Sequence, residues 1–511
     1  MGSARSVGLN PPCRPSLSPG CRRAARLGSC PGPSLALALR VGIRSACPSA
    51  PPSPRRSRPG ARLGRSASAP PEPPGRPCGR IAAATGSFRG AAALCHRGAV
   101  TERSWLPSDA KTVIRTLVAI PGALPVFALS LLLGLGYSFV LPFISLFGTK
   151  EVGMTPLGFG AFMTASSISS IVLSTWLSRW SDTVLSRRTV LLVGGFSGAL
   201  GYLGYALTRD VWLLSICSIV FLGLSAVTFG QLFALARDTL EAGGVTASKI
   251  PLYMNIVRLF FALAWTVGPA LGALLVARSF TLSFLTASGI LATFTLLVLL
   301  FVPSTPPSEH SRKAASEMPL RVAFQNPVLL AHFLAFALFF ACSTMGMMNL
   351  PLLLLHELRG SATQIGVAYS VAPVFELPFM VYMGVLATRV RHERLVLFAM
   401  LLATVYYAGL AFTQLPIHVY VLQIASAVIV AVMSGVAISF FQTFLPNQAG
   451  SATNLYSTAS RVGSTLGYLS FGALAGGLGH RAVFLVSAAI TLVCAAIVHG
   501  FRHGASSANA I

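Results

Sequence analysis

Between residues 123 and 501 the chain is almost continuously apolar, divided by short loops into about twelve stretches. A bilayer core of ~30 Å is crossed by ~20 apolar residues in an α-helix. Inside lipid every backbone polar group must be satisfied within the protein, so long apolar stretches can only be helices. The expectation is an all-α membrane protein of twelve transmembrane helices in two six-helix bundles. The pattern predicts helices at 123–148, 157–178, 189–208, 211–235, 251–277 and 280–302. The second set falls at 328–355, 363–387, 395–413, 417–443, 450–477 and 482–501. The domain plan is a basic tail at 1–115, a first bundle at 116–302 and a linker at 303–327. A second bundle follows at 328–503 and a short tail at 504–511.

Composition sets the tail apart from the rest. Only 10% of the residues are charged, against about 25% in ordinary soluble domains. Of 38 Lys and Arg, 19 lie in residues 1–116, opposed there by Glu72, Glu102 and Asp109 alone. The net charge of +25 is therefore mostly a property of the tail and gives no reason to expect nucleic-acid binding by the folded part. The tail is rich in Pro, Arg and Ser and holds few large apolar residues, so it is expected to be disordered. Three readings fit it: a transit peptide, a basic tail near anionic lipid, or a mis-called start. The last is favoured because the segment ends where the membrane pattern begins. Cys217, Cys342 and Cys494 fall singly within apolar spans, and no CxxC occurs. Neither a metal site nor a redox pair is expected.

Basic residues set the expected orientation. Arg179, Arg187 and Arg188, then Arg237 and Lys249, then Arg312, Lys313 and Arg321, and finally Arg389, Arg391 and Arg394 occupy alternate loops. The remaining loops are nearly bare. The basic loops are expected on the cytoplasmic side, with both termini there. Each half carries a basic hairpin after its second span, RWSDTVLSRR at 179–188 and TRVRHER at 388–394. A repeat of this kind is a mark of secondary transporters whose halves rock about a midplane site.

The first hairpin, with Asp182, Arg187 and Arg188, resembles the loop signature G-x-x-x-D-R/K-x-G-R/K-R/K of the major facilitator superfamily. It departs from it at Ser178 and Thr183, and its Arg pair stands one position late. The resemblance implies a cytoplasmic gate in which Arg187 or Arg188 bridges Asp182 to Asp238; the bland reading is that these arginines only fix topology. Gly268, Pro269 and Gly272 in the fifth span resemble the G-P-x-x-G core of exporters in that superfamily, and equally suit a packing kink. Longer stretches narrow the resemblance to the bacterial sugar efflux transporters: LPFISLFGTKEVG (141–153), QLFALARDT (231–239), LAWTVGP (263–269), FELP (375–378) and LPNQAGSATNLY (445–456). It covers about 129–499 and implies the major facilitator fold and proton-coupled export of small sugars and glycosides. Asn349 stands where some of those transporters are expected to carry Asp.

Charges inside spans are costly and are functional candidates by default. Glu376, about halfway along the eighth span, is the clearest. Desolvation opposes its charged form, which suits a proton carrier. The competing reading is a structural carboxyl bonded to Tyr382 or to a carbonyl freed by Pro378. Arg258 would bind sugar hydroxyls, counter Glu376, pair with Asp238 or snorkel to the membrane edge. Arg461 shares that ambiguity, and His332 is expected at the interface. Sugars are held by amides, hydroxyls and aromatic faces. The inventory is Tyr137, Gln231, Asn255, Trp265, Asn349, Tyr369, Tyr406, Gln423, Gln442 and Asn454. Gln231, Asn349 and Gln442 are preferred because they sit beside Gly, Pro or aromatic breaks.

The leading expectation is a secondary active transporter, a monomer in the bacterial inner membrane, exporting small sugars or glycosides against protons by alternating access. A second reading is export of drugs or other amphipathic metabolites by the same fold. A third is a non-transporting sensor. No cofactor and no enzyme activity is expected, since GxSxG, HExxH and phosphate-loop motifs are missing.

Overall fold

The computed structural model describes residues 120–501 apart from 121, 184, 247–248, 305–324 and 446–447, and leaves out the side chains of Asp182, Thr183, Pro251, Leu252 and Ala449. The tails at 1–115 and 504–511, most of the linker at 303–327 and the Asp182 side chain thus lie outside the described residues.

Among the described residues there are twelve long helices. They are α1 (Ala123–Glu151), α2 (Pro156–Thr183), α3 (Arg187–Leu207), α4 (Val211–Ala242), α5 (Ile250–Arg278) and α6 (Phe280–Phe301). After the linker come α7 (Pro327–Glu357), α8 (Ala362–Leu386), α9 (His392–Phe412), α10 (Pro416–Phe444), α11 (Ala449–Leu478) and α12 (His480–Gly500). Side-chain caps fix several starts. Ser186 accepts from the Thr189 N–H, Asp210 from Trp212 and Leu213, and Asn326 from Val328 and Leu329. Ser361 and Gln364 form a capping box at the start of α8. These partners satisfy amides that a helix end leaves open.

Two helices run past their expected ends. α2 continues through Arg179 and Trp180 because Ser181, one turn further on, bonds Gln231 of α4. α4 continues to Ala242, with Arg237 and Glu241 paired at i,i+4 on its surface.

Eleven of the helices are long and apolar enough to cross a membrane on those grounds alone. The exception is α11, where Ser, Thr and Gly are frequent. It packs against α7 and α2 by backbone proximity rather than by bulk. A methyl group at Gly467 would stand 2.5 Å from the Ala341 carbonyl, and one at Gly472 would stand 2.7 Å from the Pro156 carbonyl. Small residues permit this close approach in membranes, so this less apolar helix is a central one.

The halves repeat in detail. α1 and α7 each close on a π turn, Phe147–Glu151 and Leu353–Glu357. α4 and α10 each contain one inside the span, Cys217–Leu222 and Val432–Val436. Both terminal π turns end on a glutamate paired with an arginine, Glu151 with Arg209 at 3.4 Å and Glu357 with Arg481 at 3.3 Å. The halves meet through α2 against α11 and α5 against α8. Gly160 faces Gly472, Ser167 bonds Thr465 at 2.8 Å, and a methyl at Gly366 would lie 2.6 Å from the Pro269 carbonyl. Gly160 and Gly366 begin their helices, so Gly160–Gly472 and Gly366–Pro269 lie at the end away from the α2–α3 and α8–α9 hairpins.

Candidate functional site

Each half encloses a cavity of about 350 Å³. The two are related by the repeat. The first is built by α1, α2, α3 and α4 and completed by Tyr468 of α11. The second is built by α7, α8, α9 and α10 and completed by Phe261, Ala262 and Trp265 of α5. Each half therefore lends one helix to the other's cavity.

The second cavity contains Glu376. It is the fifteenth of the 25 residues of α8, about 21 Å along the helix from Ala362 at 1.5 Å per residue and a little past its midpoint. Pro373 and Pro378 lie inside the same helix on either side of it. Each lacks an N–H and so frees the carbonyl one turn earlier, those of Tyr369 and Val374. Among the described residues no hydrogen bond or ion pair engages the Glu376 carboxyl. Tyr382 points away, more than half exposed on the outer surface.

The walls around Glu376 are aromatic and amide-bearing. Tyr369 donates its hydroxyl to the Met347 carbonyl, which fixes its ring against α7. Tyr406 and Tyr407 meet with centroids 5.0 Å apart, and Tyr406 turns toward Ser426 and Gln423. The indole Nε1 of Trp265 is buried without a hydrogen-bond partner. A buried donor left open costs free energy; the nitrogen itself has no exposed surface, and Trp265 meets the cavity with its ring. The site offers ring faces, an amide and a carboxyl, which suits a small polyhydroxylated molecule.

The four substrate-binding candidates from the sequence line neither cavity. The Gln231 carbonyl accepts from Ser181 Oγ at 2.9 Å and from Arg187 Nη1 at 3.1 Å. Asn349 is fully buried and bound to His480 of α12. Gln442 donates to Thr453 at 3.2 Å, joining α10 to α11. Arg258 is exposed, with its guanidinium 5.9 Å from the Phe233 ring, and does not reach Glu376. Buried amides find protein partners first, because the structure satisfies its own polar groups before any ligand arrives. His332, near the start of α7, is buried among protein side chains. Its Nδ1 lies 2.7 Å from the Val328 carbonyl and its ring packs on Phe440 and Phe444.

The gate residues come together in part. Arg187 Nε lies 2.5 Å from Asp238 Oδ2, with Gln231 beside them. Arg188 instead donates to the Leu299 carbonyl at the end of α6, 2.7 Å away. Gly268, Pro269 and Gly272 bring α5 onto α1. A methyl at Gly268 would collide with Ser138, and one at Gly272 would stand 2.9 Å from the Phe139 carbonyl.

Of the sequence inventory, Trp265, Tyr369, Tyr406 and Gln423 line the second cavity and Tyr137 the first. Sequence reasoning missed Tyr202 and Tyr205 in α3, Tyr407 in α9 and Tyr468 in α11. A signal existed: the third and ninth helices each carry a tyrosine pair near their ends, an internal repeat.

The profile of the Major Facilitator Superfamily matches this chain over residues 126–447 and 342–507. A candidate sugar efflux transporter of Deinococcus radiodurans is 34% identical over 376 residues, covering 73% of this chain and 96% of that one. Sugar efflux transporter A of Dickeya chrysanthemi is 32% identical over 372 residues, covering 73% and 88%. The crystal structure of the nucleoside transporter NupG (D323A mutant) superposes with a TM-score of 0.67 at 14% identity, covering 74% of this chain and 99% of that one. The chain is a multi-pass membrane protein and belongs to the major facilitator superfamily, within which it groups with the sugar efflux transporters.

Proposed function

We propose that this protein exports small sugars or glycosides in exchange for protons, as a monomer in a bacterial inner membrane with both termini in the cytoplasm. The observation that carries the reading is the second cavity, where Glu376 shares one space with Trp265, Tyr369, Tyr406 and Gln423. A sugar ring presents C–H faces to the aromatics and hydroxyls to the Gln423 amide and the Glu376 carboxyl. The carboxyl has no protein partner among the described residues, so its charge is answered only by a proton or a ligand. Carrying an unpaired charge through the bilayer core is costly. Loading a proton or a sugar on Glu376 therefore governs when the halves can rock, and this couples the two fluxes.

The basic hairpins support the orientation. The Arg187–Asp238 pair ties α3 to α4 on the same side, the place for a gate that latches and releases. Both halves are sealed to each other by small residues at the opposite end. In alternating access that contact must open, and glycine-to-backbone contacts leave few side chains to repack.

Uptake of labelled lactose and glucose into inside-out vesicles, with and without an imposed pH gradient, tests the proposal. Gradient-dependent accumulation is expected. Absence of accumulation, with drug dyes moving instead, would transfer the fold to multidrug export.

A further inference from the structure

One amide oxygen joins three helices at the hairpin end of the first half. Gln231 of α4 and Ser181 of α2 are both buried. Gln231 Oε1 accepts from Ser181 Oγ at 2.9 Å and from Arg187 Nη1 of α3 at 3.1 Å. A guanidinium only donates, so the amide must turn its oxygen toward it. The same guanidinium donates through Nε to Asp238. Gln231 and Asp238 lie about two turns apart on one face of α4. Arg187 is therefore held along α4 between a neutral acceptor and a charged one. The second half repeats the amide without the charges. FGQLF (229–233) and FFQTF (440–444) stand at matching places near the ends of α4 and α10, and Gln442 donates to Thr453. Where the first hairpin ends in Arg187 and Arg188, the second ends in Glu393 and Arg394, and Glu393 pairs with Arg391 of its own hairpin. Among the described residues, only the amide of the first half holds an arginine.

We propose that Gln231 is a positioning residue of the Arg187–Asp238 gate, and that Ser181 is the spare donor that lets the gate release. This rests on the proposed transport cycle, in which that gate closes and opens. A neutral acceptor fixes the direction of the guanidinium without adding a second Coulombic grip. When Arg187 leaves, one carboxylate is stranded rather than two. Ser181 still donates to Gln231 Oε1, so the amide oxygen keeps a partner and the cost of an orphaned buried acceptor is avoided. None of Ser181, Arg187, Gln231 and Asp238 lines either cavity. Their effect falls on the rate at which the protein cycles and not on sugar binding.

The test is exchange of labelled for unlabelled lactose and glucose in proteoliposomes holding the full chain, beside calorimetric titration of each variant. Gln231→Glu gives Arg187 a second carboxylate. It is expected to slow exchange about 10- to 100-fold, the worth of a charged hydrogen bond, with sugar affinity unchanged. Gln231→Glu combined with Asp238→Asn moves the single carboxylate from one end of the guanidinium to the other, and exchange is expected to recover. A residue that merely packs is not rescued by a second substitution two turns away. Ser181→Ala adds neither bulk nor charge and is expected to slow exchange about 3- to 10-fold; should Gln231→Glu fail to fold, this variant decides alone. Exchange at the unmodified rate in Gln231→Glu or in Ser181→Ala, or a double variant as slow as Gln231→Glu, overturns the inference while sugar export stands. If the unmodified protein exchanges neither sugar, the export reading falls, and this inference with it.

Discussion

Asn349 of α7 grips His480 of α12 at two points: its Nδ2 donates to the His480 carbonyl at 2.7 Å and its Oδ1 lies 2.8 Å from His480 Nδ1. The first bond fixes the amide orientation, so the ring nitrogen facing the oxygen must carry the hydrogen. The His356 ring stacks on the far side, with centroids 5.8 Å apart. Replacing Asn349 with Leu leaves a buried carbonyl and an imidazole N–H unpaired. A loss of about 1–3 kcal/mol is expected, read as a lower unfolding temperature in detergent, with sugar affinity unaltered. A fall in affinity with no fall in stability would return Asn349 to the binding site.

Glu376→Gln keeps the shape of the side chain and removes its proton chemistry. Accumulation driven by a pH gradient is expected to vanish, while exchange of labelled for unlabelled sugar persists. The pair of assays in the same proteoliposomes separates coupling from binding. Transport that retains its dependence on pH would show that another group carries the proton.

The Arg187–Asp238 pair is partly buried, with Arg187 13% and Asp238 33% exposed. Removing one partner of such a pair strands the other charge in a partly desolvated place. A double-mutant cycle with Arg187→Ala and Asp238→Ala is expected to give a coupling of about 0.5–3 kcal/mol, only weakly reduced by salt. Arg188→Ala, whose partner is a backbone carbonyl, should show no coupling to Asp238.

Two glycines separate packing from propensity. A methyl group at Gly268 meets Ser138, which itself bonds the Ala264 carbonyl at 3.2 Å. At Gly230 it meets nothing within 4 Å. Gly268→Ala is expected to destabilise by about 1–3 kcal/mol through overpacking and to slow transport. Gly230→Ala is expected to be neutral or stabilising by about 0.5–1 kcal/mol. Thermal unfolding of both variants side by side decides it.

Hydropathy by itself accounts for eleven of the twelve helices, because lipid allows an apolar chain almost no other structure. Loop motifs carried the family, and charge spacing pointed to Arg187, Asp238 and Glu376, since an ionisable group in a span has few reasons to be there. The amides were a different matter. Gln231, Asn349 and Gln442 look like ligand donors in one dimension, but each is spent on a partner from another helix, and α12 in the case of Asn349 lies far away in sequence. Serines gave no such signal, and the tyrosines of α3 and α9 gave only their paired repeat, because a hydroxyl is cheap in a helix and common everywhere. Their meaning came from packing, which turned Tyr202, Ser170 and Tyr468 onto one space. Single helices with their polarity and charge were thus legible in the chain. The pairing of helices, and with it which polar groups remain free for a ligand, was decided only where α5 and α11 crossed into the opposite half, since a side chain's partners depend on contacts that no local pattern encodes.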